Sequence, residues 1–399
     1  MATGMGERLQ EHHRRRNLPG AAQHHRRTGA RPAEGRCAPM SVVLTDLQEE
    51  LRRTVRGAIE ARHGAARVIE LAEAGAEGDD ADVWKAFSDI GVPQIGTPDS
   101  GTGLLDLGLM VQEAGRGLLP GTLLGHALGQ RLLLAADGAA GPLAEADAAG
   151  HRLAASWRLD PAAVTVESDG VLHGRAGAVA EGRQADVLVL PVTGPAVACV
   201  DTGPLGFSPE QAGAIDTGRD WTAVDLDGVP ARVYGLEPES WRRVLLEAAV
   251  LLCFDSLGSA ERCLDDAVRY AKERRQFGQA IGGFQAVKHL LVDAHVAVDN
   301  ARSATWHAAA ALDSGAAGAA FSAHVAKAVT DQAHVRTAAV GIQVHGGTGF
   351  TREVPAHLHA RRSRYNERLA GTPAEHLDAM ADDLPMVLGQ WAGVPADRT

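Results

Sequence analysis

The segment Arg269–Gln285 reads RYAKERRQFGQAIGGFQ, and a second glycine-rich segment, Gln343–Phe350, reads QVHGGTGF. In the first segment a long helical pattern stops at Arg274, just before the tight-turn residue Gly278. A guanidinium beside a glycine turn is suited to clamping phosphate, because its planar fork binds two oxygens at once. This segment therefore predicts a phosphate-binding end of a helix.

The second segment complements the first. Gly346 and Gly347 allow the backbone to approach a ligand closely, and Gln343 offers a side-chain amide. A glycine-rich turn at a helix terminus can present backbone N–H groups to a pyrophosphate. Alanine-rich helical sequence joins the two segments, and the pair is much more specific than either segment alone.

Together the two segments resemble the C-terminal domain of the acyl-CoA dehydrogenase family. In that family the two motifs hold the ADP half of a flavin that belongs to the neighbouring subunit. The resemblance therefore implies FAD as a cofactor shared with a partner subunit. The positions that match the family's cofactor-binding residues are Arg274, Gln276, Phe277, Gly278, Gln343, Gly346, Gly347 and Thr372.

The rest of the chain predicts an α+β protein of three parts. The chain is 45% hydrophobic but only 4% aromatic, which favours closely packed helices with Ala, Leu and Val cores. Helical patterns in 41–150 indicate an N-terminal helical domain, in which Thr45 is a predicted N-cap, Trp84 a packing residue and Glu113 a capping residue. Short β-branched runs in 151–235, at 164–167, 187–190, 197–200 and 221–226, predict a middle antiparallel β-domain. A C-terminal helical bundle is expected over 236–399, with helices over 239–274, 283–312, 319–340 and 354–369.

Charge and apolar patterning restrict the location and the partners. Residues 1–40 hold eight Arg against three Glu and no apolar periodicity, which predicts a disordered basic tail or a true start at Met40. The net charge of −11 argues against nucleic-acid binding.

The longest apolar run, Val244–Phe254, is too short to cross a membrane. Cys253 and Cys263 are expected to be reduced core residues, and a cytoplasmic location is predicted; no metal site is indicated.

The part of the family site that holds the flavin ring is expected to be lost. The family has a T-E-P-x-x-G-S-D loop and a W-I-T/S strand there, whose hydroxyls and aromatic ring hold the isoalloxazine. The first region is reduced to 154–161, AASWRLDP. In the second, Ala178 stands at the Trp position and Ala180 at the hydroxyl position. Alanine can neither stack on a flavin nor donate a hydrogen bond to it.

The catalytic base of the family is missing as well. Most members carry a Glu before a final Gly-Thr, where this chain has Ala370, and a minority carry it on an earlier helix, where this chain has Ala248. Ala374 also replaces the usual Gln. Two carboxylates near these positions, Asp255 and Glu367, are the candidates for a relocated base.

The resemblance is therefore to the subunit of bacterial heterotetrameric acyl-CoA dehydrogenases that lacks the catalytic Glu. It implies an acyl-CoA substrate, a second acyl-CoA dehydrogenase subunit, and electron-transfer flavoprotein as the acceptor, and it allows the acyl group to be bulky. Three alternatives stay open: a flavin-independent enzyme, a structural partner, and a homotetramer with a relocated base. The flavin-independent enzyme would use Asp255, Glu367, His345 or Tyr365.

Overall fold

The computed structural model describes residues 42–74, 80–210 and 215–391. The predicted basic tail, residues 1–40, and the alternative start at Met40 lie outside the described residues. Within them the chain forms eleven α-helices and ten strands. No described helix is both long and apolar enough to cross a lipid bilayer.

The N-terminal part contains six helices. The first, α1, begins after Thr45, whose hydroxyl accepts from the backbone N–H of Gln48 while the Gln48 side chain accepts from the N–H of Thr45. This capping box confirms the predicted N-cap. The helices are α1 (Asp46–Arg62), α2 (Ala65–Ala74), α3 (Ala81–Asp89), α4 (Leu104–Arg116), α5 (Thr122–Ala135) and α6 (Ala140–Ala149).

Trp84 and Glu113 are both buried in this part of the molecule. Trp84 is a packing residue, as expected, and its ring lies 5.0 Å from that of His126. The expected capping role of Glu113 is wrong: its carboxylate is buried and paired with Arg52 and Arg56 of α1. A buried carboxylate needs such partners, because the cost of desolvation must be offset by charge-assisted hydrogen bonds. These pairs fasten α1 to α4.

The middle part is a pair of four-stranded sheets. One has the order β1-β4-β5-β8 and the other the order β2-β3-β7-β6. All pairings in these two sheets are antiparallel except that of β1 with β4, which is parallel. The predicted antiparallel domain is therefore corrected at β1, an edge strand of the first sheet. The strands are β1 (Leu153–Ala155), β2 (Val164–Val166), β3 (Val171–Ala180), β4 (Val187–Val192), β5 (Ala196–Asp201), β6 (Phe207–Pro209), β7 (Trp221–Pro230) and β8 (Arg232–Gly235).

The four predicted β-branched runs are confirmed as β2, β4, β5 and β7. The short strands β1, β6 and β8 were not predicted. β1 consists of Leu-Ala-Ala and has no β-branched residue. It is a strand because the neighbouring β4 offers it backbone partners, which is a tertiary effect that propensity does not reveal.

The C-terminal part is a bundle of five helices. The four predicted segments are confirmed, with ends shifted by up to five residues, and the helix after Thr372 was not among them. The helices are α7 (Pro238–Glu273), α8 (Gln285–Ser314), α9 (Ala319–His345), α10 (Ala356–Asn366) and α11 (Pro373–Trp391). A two-stranded hairpin, β9 (Arg275–Gln276) with β10 (Gln279–Ala280), follows α7.

The helices approach each other closely where glycine faces a neighbouring backbone. A Cβ built on Gly258 of α7 would lie 1.9 Å from the carbonyl oxygen of Gln112 in α4. A Cβ on Gly115 of α4 would lie 2.2 Å from the carbonyl oxygen of Asp255. The contact between α4 and α7 therefore requires glycine on both helices. Cys253 and Cys263, which were expected to be reduced core residues, are buried free thiols.

Candidate functional site

The end of α7 forms an exposed hairpin turn. Phe277 and Gly278 are its two central residues, with φ of +51° and +81°. Two consecutive left-handed residues are typical of the tight turns that join antiparallel strands. Arg274, which caps the C-terminus of α7, is exposed, and so is Gln276. The ring of Phe277 is 90% exposed, which is unusual for so large an apolar side chain.

The end of α9 lies beside this hairpin. His345, the last residue of α9, donates through Nδ1 to the carbonyl of Gly341 over 2.7 Å. Its ring also lies 4.4 Å from that of Tyr270, in the last turn of α7. This contact joins the two motifs that are separated in sequence. His345 is thus a packing residue at the base of the turn.

We call residues 274–280 and 343–350 the paired turns. Gln343, Gly346 and Gly347 are exposed in the second turn. A Cβ built on Gly278, Gly346 or Gly347 would have no atom within 4 Å, so these glycines border open space. The paired turns therefore present an exposed guanidinium, two exposed amides and unhindered backbone. Such a surface fits an external ligand that carries phosphates.

A separate cleft of about 790 Å³ lies between the β-domain and the C-terminal bundle. It is lined by the loop after β1, by β3, and by parts of α7, α9, α10 and α11 together with the segment between α10 and α11. Apolar, imidazole, guanidinium and carboxylate side chains share its lining. The lining residues are Trp157, Arg158, Leu159, Asp160, Ala178, Leu245, Leu246, His324, Tyr365, Arg368, Leu369, Ala370, Gly371, Glu375 and His376.

The wall of the cleft at β3 is made of a backbone bulge. The register of β3 against β7 shifts between Ala176 and Val179, and Ala178 has a φ of +50°. The carbonyl of Ala178 accepts from the N–H of Trp157 over 3.0 Å. The side chain that Ala178 offers to the cleft is a single methyl group.

Ala180 does not line the cleft at all. It is fully buried, and a Cβ on Gly121, just before α5, would lie 2.6 Å from the Ala180 Cβ. Ala180, at the position expected to carry a flavin-binding hydroxyl, therefore packs against the start of α5. This close contact also leaves little room for a larger side chain there.

Ala370 and Ala248, the residues that the sequence analysis matched to the family's base positions, differ in their surroundings. Ala370 lines the cleft with a φ of +52°, and its carbonyl accepts from Nε2 of His376 over 2.8 Å. Ala248 is fully buried in α7 and is not part of the lining. Among the described residues, the carboxylates that do line the cleft belong to Asp160 and Glu375. Both cap helix N-termini: Asp160 accepts from the N–H of Ala162, and Glu375 from the N–H of Thr372.

Asp255 lies in a buried polar network and does not line the cleft. Its carboxylate accepts from Arg219 and, over 2.7 Å, from Nδ2 of Asn366. Burial alone raises the pKa of Asp255, but the guanidiniums of Arg219 and Arg362 outweigh burial and hold this pKa below its usual value. A carboxylate fixed in this way is a weak proton acceptor. The geometry therefore favours a structural role for Asp255.

The remaining candidates are spread over the molecule. Glu367 is half-buried, pairs with Arg364 over 3.3 Å and lies outside the lining of the cleft. Thr372 accepts from the N–H of Glu375 as a helix cap. Tyr365 lines the cleft, packs 4.6 Å from the ring of Trp221, and has its pKa raised by burial. The four residues named for a flavin-independent enzyme are thus not brought together, since His345 lies at the paired turns.

Two histidines of the cleft were missed by sequence reasoning. Nδ1 of His324 and Nδ1 of His376 lie 2.7 Å apart. They come from α9 and α11, so no local spacing relates them. The one available signal was the Thr-x-x-Glu pattern from Thr372 to Glu375, which marks a helix start and would have placed His376 in the first turn.

Comparison with known proteins agrees with the fold and the family that the sequence motifs predicted. Residues 241–384 match the family model described as acyl-CoA dehydrogenase, C-terminal domain. The chain is 30% identical over 344 residues to acyl-CoA dehydrogenase IpdE2 of Mycobacterium tuberculosis (strain ATCC 25618 / H37Rv), covering 84% of this chain and 97% of that protein.

Solved structures share the fold. A chain of the ChsE4-ChsE5 complex from Mycobacterium tuberculosis superposes with a TM-score of 0.76 at 21% identity, covering 86% of this chain and 98% of that one. Butyryl-CoA dehydrogenase from Megasphaera elsdenii gives a TM-score of 0.72 at 20% identity, over 86% of this chain and 100% of that one. From the paired turns, the three-part architecture and the relationship to IpdE2, we conclude that this chain belongs to the acyl-CoA dehydrogenase family.

Proposed function

We propose that this chain is the non-catalytic subunit of a heteromeric, FAD-dependent acyl-CoA dehydrogenase. In this proposal its paired turns hold the ADP half of a flavin whose ring lies in a partner subunit. The partner, a second acyl-CoA dehydrogenase chain, also carries the base that removes the α-proton of the acyl-CoA. Electron-transfer flavoprotein is the proposed acceptor of the electrons.

The observation that carries the proposal is the contrast between the two sites on this chain. In the paired turns Arg274 and Gln343 are exposed and Gly278, Gly346 and Gly347 border open space. The cleft has a methyl group at Ala178 and a hydrogen-bonded main-chain carbonyl at Ala370, where a dehydrogenase needs a ring support and a base. A chain that keeps only the first site can serve a flavin only through a partner.

Each feature of the paired turns has a defined task in this proposal. The Arg274 guanidinium can bind two phosphate oxygens at once, and the open glycines let the backbone approach the pyrophosphate. The exposed ring of Phe277 supplies an apolar contact that is buried only when a partner docks. The flavin itself supplies the acceptor for the β-hydride. This chain contributes binding and orientation.

The acyl group is proposed to be bulky. The cleft of this chain has a volume of about 790 Å³, is bordered by Leu245, Leu246 and Trp157, and has no ring support. Space that is not taken up by a second flavin ring would be available to a large acyl group. The relative ChsE4-ChsE5 is a complex of two named chains, which supports an assembly of unlike subunits.

Purification of the chain with and without a candidate partner tests the proposal. The chain alone should show no flavin absorbance, and the co-expressed complex should contain one flavin for each pair of unlike chains and should oxidise acyl-CoA. Arg274→Gln should lower flavin retention by about tenfold or more. Arg269→Gln is the matched control, because Arg269 lies near the same end of α7 and pairs with Asp266.

Two results obtained with this chain alone would contradict the proposal. One is a yellow, active protein from this chain alone, which would favour a homotetramer with its own base. The other is activity of the chain alone without flavin, which would favour a flavin-independent enzyme that uses the cleft. A complex that forms but loses no flavin in Arg274→Gln would remove the paired turns from the cofactor site.

A further inference from the structure

The cleft between the β-domain and the C-terminal bundle combines an apolar wall with charged side chains. Leu245 and Leu246 of α7 are half-buried and, together with Leu369 after α10, supply much of the apolar part of the lining. Ligand clefts are typically apolar, with a small number of polar groups that fix the orientation of the ligand. The charged groups of the cleft therefore indicate which polar atoms a ligand must carry.

Among the described residues, four side chains of the lining are charged near neutral pH, two of each sign. Three of the four are already used within the protein. Arg158 pairs with Glu210 over 2.8 Å. Asp160 and Glu375 each accept from a backbone N–H group at a helix N-terminus. The fourth charged side chain is that of Arg368.

Arg368 lies two residues after the end of α10, and it is exposed where it borders the cleft. No described residue forms an ion pair or a side-chain hydrogen bond with its guanidinium. On an open surface water solvates such a group, but a ligand that fills an apolar cleft replaces that water with its own atoms. The planar fork of N–H donors fits both oxygens of a carboxylate. The unpaired charge of the cleft is therefore a positive one, with a geometry suited to an anion.

The two histidines of the cleft do not compete for this role. Burial lowers the pKa of His376 to about 4, so its ring is neutral near pH 7, and its Nε2 donates to the carbonyl of Ala370. Its Nδ1 must then accept, so Nδ1 of His324 is the donor in the 2.7 Å contact between the rings. These three ring nitrogens are used within the protein.

The neighbouring carboxylates restrict the class of anion. Asp160 and Glu375 line the same cleft, so they repel a dianion such as a phosphate monoester more strongly than they repel a carboxylate. A cation would be repelled by Arg368. A wholly apolar ligand would desolvate the guanidinium without giving it an acceptor. One carboxylate on a bulky apolar body suits both the wall and the charge.

We propose that the cleft binds a bulky organic carboxylate, with its apolar body against Leu245, Leu246 and Leu369 and its carboxylate on the guanidinium of Arg368. The carboxylate belongs either to the far end of the acyl group or to a free acid. The first case rests on the proposed function and names the class of acyl group: one with a carboxylate remote from the thioester. The cleft volume of about 790 Å³ accommodates either ligand.

Fluorescence titration of the full chain with pyrene-1-butyrate and with its neutral amide tests the inference. The two probes share one apolar body and differ in the carboxylate. The wild type should bind the carboxylate about tenfold more tightly than the amide, as expected for hydrogen bonds between charged groups. Arg368→Gln should abolish this preference and leave the affinity for the amide unchanged. Arg368→Lys, which keeps the charge without the fork, should retain part of the preference.

Arg361→Gln is the matched control. Arg361 is exposed on α10, donates to the hydroxyl of Thr217, and lies outside the lining of the cleft. This variant loses the same charge from the same region and should keep the full preference. Leu245→Gln tests the apolar wall and should weaken both probes alike, which would place them in the cleft.

Four results would overturn the inference. The wild type could bind acid and amide equally, or show no saturable binding of either probe. The preference could fall equally in Arg368→Gln and Arg361→Gln, which would reduce it to the general charge of the region. Binding that Leu245→Gln leaves unchanged would place the probes outside the cleft.

Kinetics of the co-expressed complex separate the two sources of the carboxylate. The substrates to compare are an acyl-CoA with a distal carboxylate and its methyl ester. A KM for the carboxylate substrate that rises about tenfold in Arg368→Gln, with the ester unaffected, would support the acyl group. An unchanged KM, with probe binding as expected, would support a free acid. Arg274→Gln, at the paired turns, should leave probe binding unchanged, so failure of the flavin proposal is distinguishable from failure of this one.

Discussion

Nε2 of His376 donates a hydrogen bond to the main-chain carbonyl of Ala370 over 2.8 Å. The bond ties the first turn of α11 to Ala370, the residue that the sequence analysis matched to the family's base position. It also holds Ala370 in a left-handed conformation, with a φ of +52°, that a residue other than glycine adopts at a cost. Ala370 is therefore part of a hydrogen-bonded turn.

Replacing His376 by alanine should lower the free energy of unfolding by about 1–2 kcal/mol at pH 7.5, because the Ala370 carbonyl loses its donor. Burial lowers the pKa of His376 to about 4. Between pH 6.5 and 4 the unfolded chain binds more protons at this residue than the folded chain, so the wild type loses this stability as the pH falls. The difference from His376→Ala should shrink over that window.

Chemical denaturation at several pH values measures this effect. The matched control is His289→Ala, which removes an exposed imidazole from α8 and should change stability by less than about 0.5 kcal/mol. A pH-independent difference for His376→Ala would contradict the assignment of a buried neutral imidazole.

Asp255→Asn should destabilise the protein by about 3 kcal/mol, because it removes the carboxylate that pairs with the buried guanidinium of Arg219. Once the variant is folded and assembled with its partner, its turnover should match the wild type. Thermal unfolding and steady-state kinetics of the complex check both parts. Glu367→Gln, at the half-buried Arg364 pair, is the control and should cost little stability. A folded Asp255→Asn complex with turnover lowered by orders of magnitude would restore Asp255 as a base.

Gly347→Ala should leave stability within about 0.5 kcal/mol of the wild type and should lower flavin retention in the assembled complex. A Cβ at this position meets no protein atom within 4 Å, so the methyl group can obstruct only a ligand or partner. Gly346→Ala has the same open space but a φ of +63°. It should therefore cost about 1 kcal/mol in addition to any loss of flavin.

Flavin fluorescence after gel filtration and thermal unfolding of the isolated chain separate the two effects. Full flavin retention by the Gly347→Ala complex would be incompatible with close approach of a pyrophosphate to this turn.

Gly258→Ala should destabilise the protein by about 3 kcal/mol, because the new methyl group would overlap the Gln112 carbonyl of α4. The backbone of a packed helix cannot move away at low cost. Gly57→Ala provides the opposite case, since Gly57 lies in α1 with no atom within 4 Å of its built Cβ. That change should stabilise the protein by about 0.5–1 kcal/mol through helix propensity. Denaturant midpoints of the two variants should therefore move in opposite directions.

Local patterns predicted the elements that have strong local causes. Thr45 and Gln48 form a cap three residues apart, and the four long C-terminal helices follow apolar periodicity that packing preserves. β1 and the parallel pairing of β1 with β4 could not be predicted, because they depend on a partner strand more than thirty residues away. The role of Glu113 was missed for a similar reason, since its partners Arg52 and Arg56 lie on another helix.

The sequence by itself determined which chemical groups this protein has, among them the Arg274 guanidinium, the glycines Gly346 and Gly347, and alanine at positions 248 and 370. A missing carboxylate is a covalent fact that no folding can change. Only the tertiary structure decided that Asp255 is held by Arg219 and Asn366 away from the cleft, and that His324 meets His376 inside it. Those contacts join residues far apart in the chain, and the packing of helices and sheets fixes them.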